Sequence, residues 1–540
     1  MATPPTWPAL DLEIPATSPA AVAAPPLGAW LALAREAHAR LAEAAVPIGE
    51  VPLPVWRRQA RAETLALAWA YTRSLGVAVA AAGPPGASPA ADADLLLATG
   101  HQPVLVHPGI WIKVLAMSRL VPPGGVGLHC VVDTDALDVV AADVPAIADG
   151  RLVRTQVVLA RAEPDVPAEA LPAPSPDAWR AFLAAIDARM RTLEAPEVLA
   201  GWERARGLPP PPASGGLAGA VTWARRTLEG PRPYVDLPVS HLHRSGAFRR
   251  FCWAIVREAR RFAEVHNSQL AAYRAHYGVR TAAQPFPDLL VDDRVVETPF
   301  WIVRDGRRRP LVVEVAAGRL LAGDDPVGGI PADPDDAAFA ALPIRPRAMT
   351  LTAFMRLGVA DLFIHGLGGG RYDRATDAIV RAFFGVAPPP YATVTATLWL
   401  PFATAGQAAD ERRRLHRQLL DLRHNPDRFL PATDGPHRAL VEEKWALIRR
   451  LDRGEARTRR ERRQATARIR EINAILQVQV ADRVAAVQDA LRRLDRLAQD
   501  AEVATARTYP FLLFPVEAVE RLVDLLLEPE ASGAARARGA

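Results

Sequence analysis

Two histidines, two prolines and two glycines are concentrated in one short segment, TGHQPVLVHPGIWIK, at residues 99–113. A short apolar run precedes the segment and a helix-like run follows it, so we interpret it as a strand-to-helix connection. Such a connection directs backbone N–H groups and the positive end of a helix dipole toward one point, which favours phosphate. Gly100 and Gly109 allow close backbone approach, and Pro108 favours a helix start. We therefore expect an anion-binding corner here; a proline-rich turn with capping histidines is the structural alternative.

The side chains of this segment suit the same chemistry. His101 and His107 can donate hydrogen bonds to phosphate oxygens, and Lys113 reaches the same point from the first turns of the helix. Lys113 is unusual in this chain, because 63 of the 65 basic residues are arginines and only Lys113 and Lys444 are lysines. This predicts a position that needs a compact amine rather than a planar guanidinium, unless one lysine codon survives by chance.

A second cluster is the acidic segment VVDTDALD at residues 131–138. Asp133 and Asp135 follow an apolar run that resembles a strand, and ligands of open α/β sheets bind at the carboxyl edge of the strands. Two carboxylates in this position are expected to bind Mg²⁺ or to hold a substrate amine. The alternative is that one of them caps the next helix.

A third cluster, FIHGLGGGRYD at residues 363–373, repeats the pattern of a strand, a glycine-rich turn and a helix. We expect it to form a second wall around the same ligand, with His365, Tyr372 and Asp373 facing that ligand. Glycine-rich turns are common, so an ordinary turn is the alternative. Glu297, in VETPFW, is a further candidate that would hold a cationic substrate group, unless this segment only packs into the core.

The elements that must position these residues follow from the periodicity. Strands are expected over 95–100, 126–140 and 151–160, with a helix after the first, which favours an α/β domain with a parallel sheet. Helices are expected over 28–80 and 248–278, hairpin strands over 289–323, a loop over 324–342, and a helix, strand, turn and helix over 344–385. A coiled-coil seam is predicted from apolar residues three or four apart: Ile469, Ile472, Leu476, Val480, Val484, Val487, Leu491 and Leu494.

These expectations divide the chain into four regions. An N-terminal arm with helices covers 1–93, and an α/β core with helical and hairpin insertions covers 94–405. The coiled coil covers 406–505, and a last helix with a tail covers 506–540. The seam is compatible both with a homodimer, which we expect, and with a helix that folds back on its own chain.

Composition limits the class of protein. The 540 residues carry a net charge of +5, which permits an anionic small-molecule ligand and does not call for nucleic acid. No apolar run reaches the length of a membrane span, so no membrane partner is expected. The only cysteines are Cys130 and Cys252, which indicates a cytoplasmic protein with reduced thiols. The motifs GxSxG, HExxH, CxxC and Walker A are absent.

The three clusters together resemble a known family, the cysteine-adding enzymes of bacillithiol synthesis. Residues 99–113 are similar to that family's TGQQ segment, which ends in Tyr-Lys; residues 131–138 are similar to its EDHDF segment; and RPRAMTL with HGLGGGRYD is similar to its RP segment and its GGPGE loop. The residues that match are Thr99, Gly100, Gln102, Lys113, Asp133, Asp135, Asp138, Gly368, Gly369 and Tyr372. His101 and Thr134 stand where the family has Gln and His, and His107-Pro108 replaces Thr-Gly.

The resemblance implies a Rossmann-like core, a dimerising coiled coil, and a ligase that joins cysteine to an amino-sugar conjugate. Our leading hypothesis is accordingly an enzyme that activates a carboxylate with ATP and Mg²⁺ and forms an amide-type bond, with Lys113, His101 and His107 neutralising phosphate charge. One alternative is a metal-dependent hydrolase or transferase with His101, His107, Asp133 and Asp135 as ligands. Another is a non-catalytic coiled-coil scaffold.

Overall fold

The computed structural model describes residues 12–82, 94–193, 195–281, 286–402, 408–430, 437–456 and 458–528, with side chains throughout except at 408–413 and 493–499. The chain divides into two compact units. The first contains 1–146, 154–400 and 507–540, and the second contains 147–153 and 401–506. None of the described helices is long and apolar enough to cross a membrane.

The described strands are β1 (Ala20–Ala24), β2 (Pro47–Ile48), β3 (Val51–Pro52), β4 (Leu97–His101), β5 (Gly127–Val131), β6 (Val139–Ala148), β7 (Arg151–Arg161), β8 (Tyr234–Pro238), β9 (Val295–Arg304), β10 (Arg307–Glu314), β11 (Arg319–Ala322), β12 (Asp325–Gly329), β13 (Ile344–Pro346), β14 (Leu362–His365) and β15 (Tyr391–Thr397).

The described helices are α1 (Trp30–Ala42), α2 (Leu53–Ser74), α3 (Pro108–Leu120), α4 (Pro176–Met190), α5 (Pro196–Arg206), α6 (Gly216–Glu229), α7 (Gly246–Arg257), α8 (Ala259–Tyr277), α9 (Ala337–Ala340), α10 (Ala348–Phe354), α11 (Leu367–Phe384), α12 (Ala408–His424), α13 (Arg438–Asp452), α14 (Arg459–Gln479), α15 (Ala481–Ala504) and α16 (Val516–Leu527). A π-helical turn, Met355–Val359, continues α10.

The first unit is built on a six-stranded sheet with the order β1-β15-β14-β4-β5-β8. All neighbours pair in parallel except β1, which runs antiparallel to β15. Along the chain the sheet grows from β4 through β5 to β8, and then resumes on the other side of β4 with β14 and β15. The direction of growth therefore reverses between β4 and β14, where open α/β sheets bind their ligands.

The predicted α/β class with a parallel-sheet core is confirmed. The apolar runs at 95–100 and 361–366 form the adjacent strands β4 and β14, and their residues are buried because helices cover both faces of a parallel sheet. The expected helices after these strands are α3 and α11. The segment 248–278 forms the two helices α7 and α8, separated at Glu258.

One strand prediction is wrong, and another is confirmed as a strand but not as part of the parallel sheet. The run 126–140 is not one strand, because β5 ends at Val131 and a turn carries the chain to β6. The third expected strand, 151–160, does not join the parallel sheet: as β7 it pairs with β6 in a separate two-stranded sheet. Alternating residues in a half-exposed hairpin produce the same sequence pattern as a strand of the main sheet, which explains the error.

The hairpin predicted within 289–323 is confirmed and belongs to a larger sheet, with the order β12-β11-β10-β9-β13. The turn between β9 and β10 is Asp305-Gly306, and both residues have positive φ, at 51° and 70°. This geometry favours Asp-Gly in a two-residue hairpin turn. The segment 324–342, expected to be a loop, is not entirely irregular, because it contains β12 and the short helix α9.

Apart from the 147–153 segment, which joins β6 to β7, the described part of the second unit is helical. The predicted seam does not lie on one continuous helix, since α14 ends at Gln479 and α15 begins at Ala481, with Val480 outside helical geometry at ψ 12°. Within this chain, Val480, Val487 and Leu491 pack against Leu415 and Leu422 of α12. Three seam residues are thus buried against a neighbouring helix of the same chain. The side chain of the last seam residue, Leu494, lies outside the described residues.

Candidate active site

A cavity of about 520 Å³ opens at the carboxyl edge of the parallel sheet, at the reversal between β4 and β14. Its walls come from the two strand-to-helix connections that the sequence singled out. One wall contributes Gly100, His101, Gln102, His107 and Lys113, and the other contributes residues 365–369 with Tyr372 and Asp373. Segments more than 250 positions apart thus line one space of a size suited to a small molecule.

The start of α3 is capped by the protein itself. The N–H of Gly109 donates to Nδ1 of His107 at 3.1 Å, and the N–H groups of Ile110 and Trp111 donate to the His107 carbonyl. Pro108 has no N–H. A Cβ at Gly109 would lie 2.5 Å from the carbonyl oxygen of Ala396, so this glycine serves close packing against β15. The phosphate corner expected at the α3 N-terminus is therefore not supported.

The imidazoles beside this helix are neutral. Burial lowers the pKa of His101 to about 3, and the nearby Lys113 contributes to the shift. Burial and Arg507 lower the pKa of His107 to about 4. Neutral imidazoles still form hydrogen bonds, but they carry no positive charge near pH 7. The expectation that these two histidines neutralise phosphate charge is not supported.

The Lys113 side chain lies between the connections that follow β4 and β14. Its Nζ donates to the carbonyl oxygen of Gly100 at 2.7 Å, and its Cδ would lie 3.8 Å from a Cβ placed on Gly366. The side chain is buried yet lines the cavity. Burial, reinforced by Arg225, lowers the pKa of Lys113 to about 7.

The first turn of α11 replaces α3 as the candidate anion site. Gly366 is its N-cap and supplies no side-chain hydrogen bond, so the first N–H groups of the helix are left for another acceptor. Two glycines here serve packing: a Cβ would lie 2.5 Å from Nδ1 of His365 at Gly369, and 2.1 Å from Oγ1 of Thr393 at Gly370. Gly368, by contrast, faces open space in the cavity wall.

His365 is held by a buried carboxylate. Its Nε2 lies 3.0 Å from Oδ2 of Asp373, which also pairs with Nη1 of Arg356 at 2.5 Å. Burial opposes ionisation of Asp373, but Arg356 and His365 outweigh it and hold the pKa of that carboxyl well below its usual range. Asp373 thus orients His365, and it also lines the cavity, as predicted.

The two aspartates of the acidic segment have different surroundings. Asp135 lines the cavity, where it accepts a hydrogen bond from Nε2 of Gln102 at 3.0 Å and lies 3.5 Å from Arg308. Asp133 is buried, and both of its oxygens accept hydrogen bonds from Ser240, at 2.9 and 2.6 Å. Burial raises the pKa of Asp133 to about 7, although Ser240 opposes the shift. The predicted joint Mg²⁺ site at these aspartates is not supported.

Two further expected ligand-binding residues lie outside the cavity. Thr99 is fully buried and its hydroxyl donates to the Ile364 carbonyl, which ties β4 to β14. Glu297 is paired with Arg347 and accepts a hydrogen bond from the N–H of Leu290. The cation that Glu297 was expected to hold is therefore an arginine of the same chain. Tyr372 does line the cavity, where its ring packs on Phe286 at 5.5 Å.

Arg507 is a cavity residue that the sequence analysis missed. Its Nη2 donates to the carbonyl of Ala396 at 2.7 Å, and its Nε has no hydrogen-bond partner among the described residues. The guanidinium therefore supplies a positive charge in the cavity wall. No sequence signal indicated it, because Arg507 lies in the irregular segment before α16 and is one of 63 arginines.

The metal-dependent alternative is not favoured by the arrangement of side chains. Nδ1 of His107 accepts from its own helix, Nδ1 of His101 lies 3.1 Å from the Gln102 carbonyl, and Asp133 is satisfied by Ser240. Across the described ranges, no three His, Cys, Asp or Glu side chains form a group that could hold a metal ion.

Comparison with known proteins assigns no function to this cavity. No family model matches the chain. A search of curated proteins likewise finds no significant match.

Proposed function

We propose that this protein is a ligase-type enzyme that joins an amino acid to an amine-bearing small molecule through a carbon–nitrogen bond, with ATP and Mg²⁺ activating the carboxylate. The observation that carries the proposal is the cavity at the reversal between β4 and β14. By resemblance to the cysteine-adding enzymes of bacillithiol synthesis, the amino acid would be cysteine and the amine would belong to an amino-sugar conjugate.

The strand order supports a Rossmann-like core. If the parallel strands β4, β5, β8, β14 and β15 are numbered one to five in chain order, the sheet has the order 3-2-1-4-5. This is the order of the doubly wound fold that binds nucleotides at the reversal. The cavity lies at that point, so the proposed nucleotide site and the topology agree.

The cavity offers separate places for the parts of such substrates. The anionic group would bind at the free N–H groups of α11 and at Arg507, where the dipole and the guanidinium both favour negative charge. The amine of a substrate would bind near Asp135, whose carboxylate lies on the cavity wall beside Gln102. An anion and an amine held in one cavity are what amide formation requires.

The proposal is tested by turnover with the full chain. ATP consumption is measured with Mg²⁺, with cysteine and with an amino sugar such as glucosamine, each alone and together. We expect consumption only when both the amino acid and the amine are present, and a condensed product by mass spectrometry. ATP hydrolysis that is independent of both, or no consumption with any amino acid and amine of a panel, would contradict the proposal.

Two arginine variants test whether ATP binds in this cavity. Arg507→Gln removes the charge in the cavity wall and is expected to raise KM for ATP about tenfold or more, since charge-assisted hydrogen bonds contribute about 1.5–3 kcal/mol. Arg180→Gln is the matched control, because Arg180 is exposed, lies outside the cavity lining, and pairs with Asp177 on the same helix, α4. Equal kinetics in the two variants would place ATP somewhere other than this cavity.

A further inference from the structure

The surroundings of Lys113 stabilise a positively charged amine only weakly. Its Nζ donates a hydrogen bond to the carbonyl oxygen of Gly100, and no carboxylate in the described part of the chain pairs with it. A backbone carbonyl orients an amine but compensates a buried charge much less than a carboxylate does. The other lysine, Lys444, has the usual arrangement, because it is buried against the carboxylate of Asp427.

The groups that face Lys113 from the neighbouring elements also disfavour its charged form. His101 at the end of β4, His107 at the start of α3 and His129 on β5 are neutral and offer no negative charge, since burial lowers their pKa values to about 3, 4 and 4. Arg225 on α6 is positive. The carboxylates in this region are already engaged: Asp236 pairs with Arg225, and in the cavity wall Asp135 accepts from Gln102 and Asp373 pairs with Arg356.

The composition of the chain points the same way. Arginine replaces lysine at nearly every basic position, so a site that needed only a positive charge would be served by arginine. What lysine can do and arginine cannot is lose its proton near neutral pH. The retention of lysine at a buried position that lines the cavity is therefore an argument for the neutral amine.

We propose that Lys113 acts as a neutral amine, the catalytic base that takes a proton from the attacking amine of the acceptor substrate. The substrate ammonium gives one proton to Nζ, and the freed lone pair attacks the activated acyl carbon. The C–N bond forms as the C–O bond to the phosphate or AMP leaving group breaks, and the leaving group takes the second proton of the nitrogen. Lys113 then returns its proton to water. The base role rests on the proposed function, whereas the neutral state of Lys113 does not.

The neutral amine is tested first, without substrates. The full chain is acetylated with N-acetoxysuccinimide between about pH 6 and pH 10, and the extents at Lys113 and Lys444 are compared by peptide mass spectrometry. We expect Lys113 to react with a midpoint near pH 7, and at least about tenfold faster than the ion-paired Lys444 at that pH. A midpoint above about pH 9, or no reaction of Lys113 at any pH, would overturn the proposal.

The base role is tested in the turnover assay. Lys113→Arg places a permanently charged side chain at this position that cannot accept a proton, so it is expected to lower kcat by about 10²-fold or more while KM for ATP changes little. Lys444→Arg is the control and keeps full activity. If Lys113→Arg unfolds, Lys113→Gln and the wild-type pH profile replace it, with kcat/KM expected to fall below about pH 7. Full activity of either Lys113 variant would overturn the base role.

The two proposals fail in distinguishable ways. An active enzyme whose Lys113→Arg variant is equally active contradicts the base role and leaves the ligase function intact. A chain that turns over no substrate pair, but acetylates at Lys113 with a midpoint near pH 7, contradicts the ligase function and retains the neutral amine.

Discussion

Lys113 and His365 stand at the two sides of the reversal in the sheet, and each has a feature that a purely structural residue would not need. Lys113 is a buried amine without a carboxylate partner in the described chain, and His365 is an imidazole oriented by the buried carboxylate of Asp373. A buried amine without a carboxylate partner and an imidazole oriented by a carboxylate, both lining one cavity, are typical of functional sites. Asp133, which is equally buried, is instead satisfied by Ser240 and has a structural role.

Burial of Lys113 has a cost in stability that depends on pH. Its pKa is about 7 in the folded chain and has the ordinary value of 10.5 in the unfolded chain. The unfolded chain therefore binds the extra proton below pH 10.5, and the cost grows as the pH falls and is complete below pH 7. The contribution of Lys113 to the free energy of unfolding therefore rises between pH 7 and pH 10.5.

Replacing this lysine removes the cost. We expect Lys113→Met to raise the free energy of unfolding on the order of 1–3 kcal/mol at pH 7, with the gain disappearing as the pH approaches 10.5. Thermal denaturation of wild type and variant at several pH values measures this. A gain that does not change with pH, or a loss at pH 7, would show that the lysine is charged in the folded protein.

At the scale of elements, α11 shows how glycine positions a helix start against a sheet. The first turn passes so close to β14 and β15 that a Cβ would collide with His365 at Gly369 and with Thr393 at Gly370. The same turn leaves Gly368 facing the cavity. The glycines of this turn therefore have two different roles. Gly369 and Gly370 allow the helix to pack closely against the sheet, and Gly368 leaves room for a ligand in the cavity.

The two roles predict opposite results for two similar substitutions. Gly370→Ala places a methyl group 2.1 Å from Oγ1 of Thr393 and is expected to destabilise by about 1–3 kcal/mol, as overpacking usually does. Gly368→Ala meets no atom within 4 Å and should keep or slightly raise Tm, because alanine favours helix. The second variant should still weaken ATP binding, since the methyl group enters the cavity. Equal Tm losses in both variants would contradict this account.

The helices of the second unit allow a comparable test. Leu422 is fully buried in the cluster that covers the seam, whereas Leu420, two positions earlier on α12, is 54% exposed. We expect Leu422→Ala to cost about 2–5 kcal/mol and Leu420→Ala little. The loss should not depend on protein concentration, because the cluster forms within one chain. A loss that diminishes at high concentration would instead indicate burial between chains.

At the scale of the whole molecule, the homodimer predicted from the seam stays a prediction, as does the cytoplasmic location. The seam residues buried within the chain are not available for a partner, while Ile475 and Val478 of α14 are exposed. Light scattering decides between one and two copies. A monomer would contradict the dimer but would leave the cavity, which belongs to the first unit, unaffected.

The sequence was sufficient for the parts of the molecule that depend on local pattern. Apolar runs that end in glycine gave β4 and β14, and the clusters after them line the same cavity. Local pattern does not specify distant partners, so it missed Arg507 and assigned Glu297 a ligand where Arg347 already pairs with it. Nor did it show that His107 caps its own helix, which moved the expected anion site from α3 to α11.

The central claim is that the cavity between β4 and β14 is the substrate site. Calorimetric titration of ATP with Mg²⁺ into wild type and the Arg507→Gln and Arg180→Gln variants tests it most directly. The account predicts one site per chain in the wild type, affinity weakened by about tenfold or more in Arg507→Gln, and unchanged affinity in Arg180→Gln. No binding to the wild type, or equal affinity in all three proteins, would contradict it.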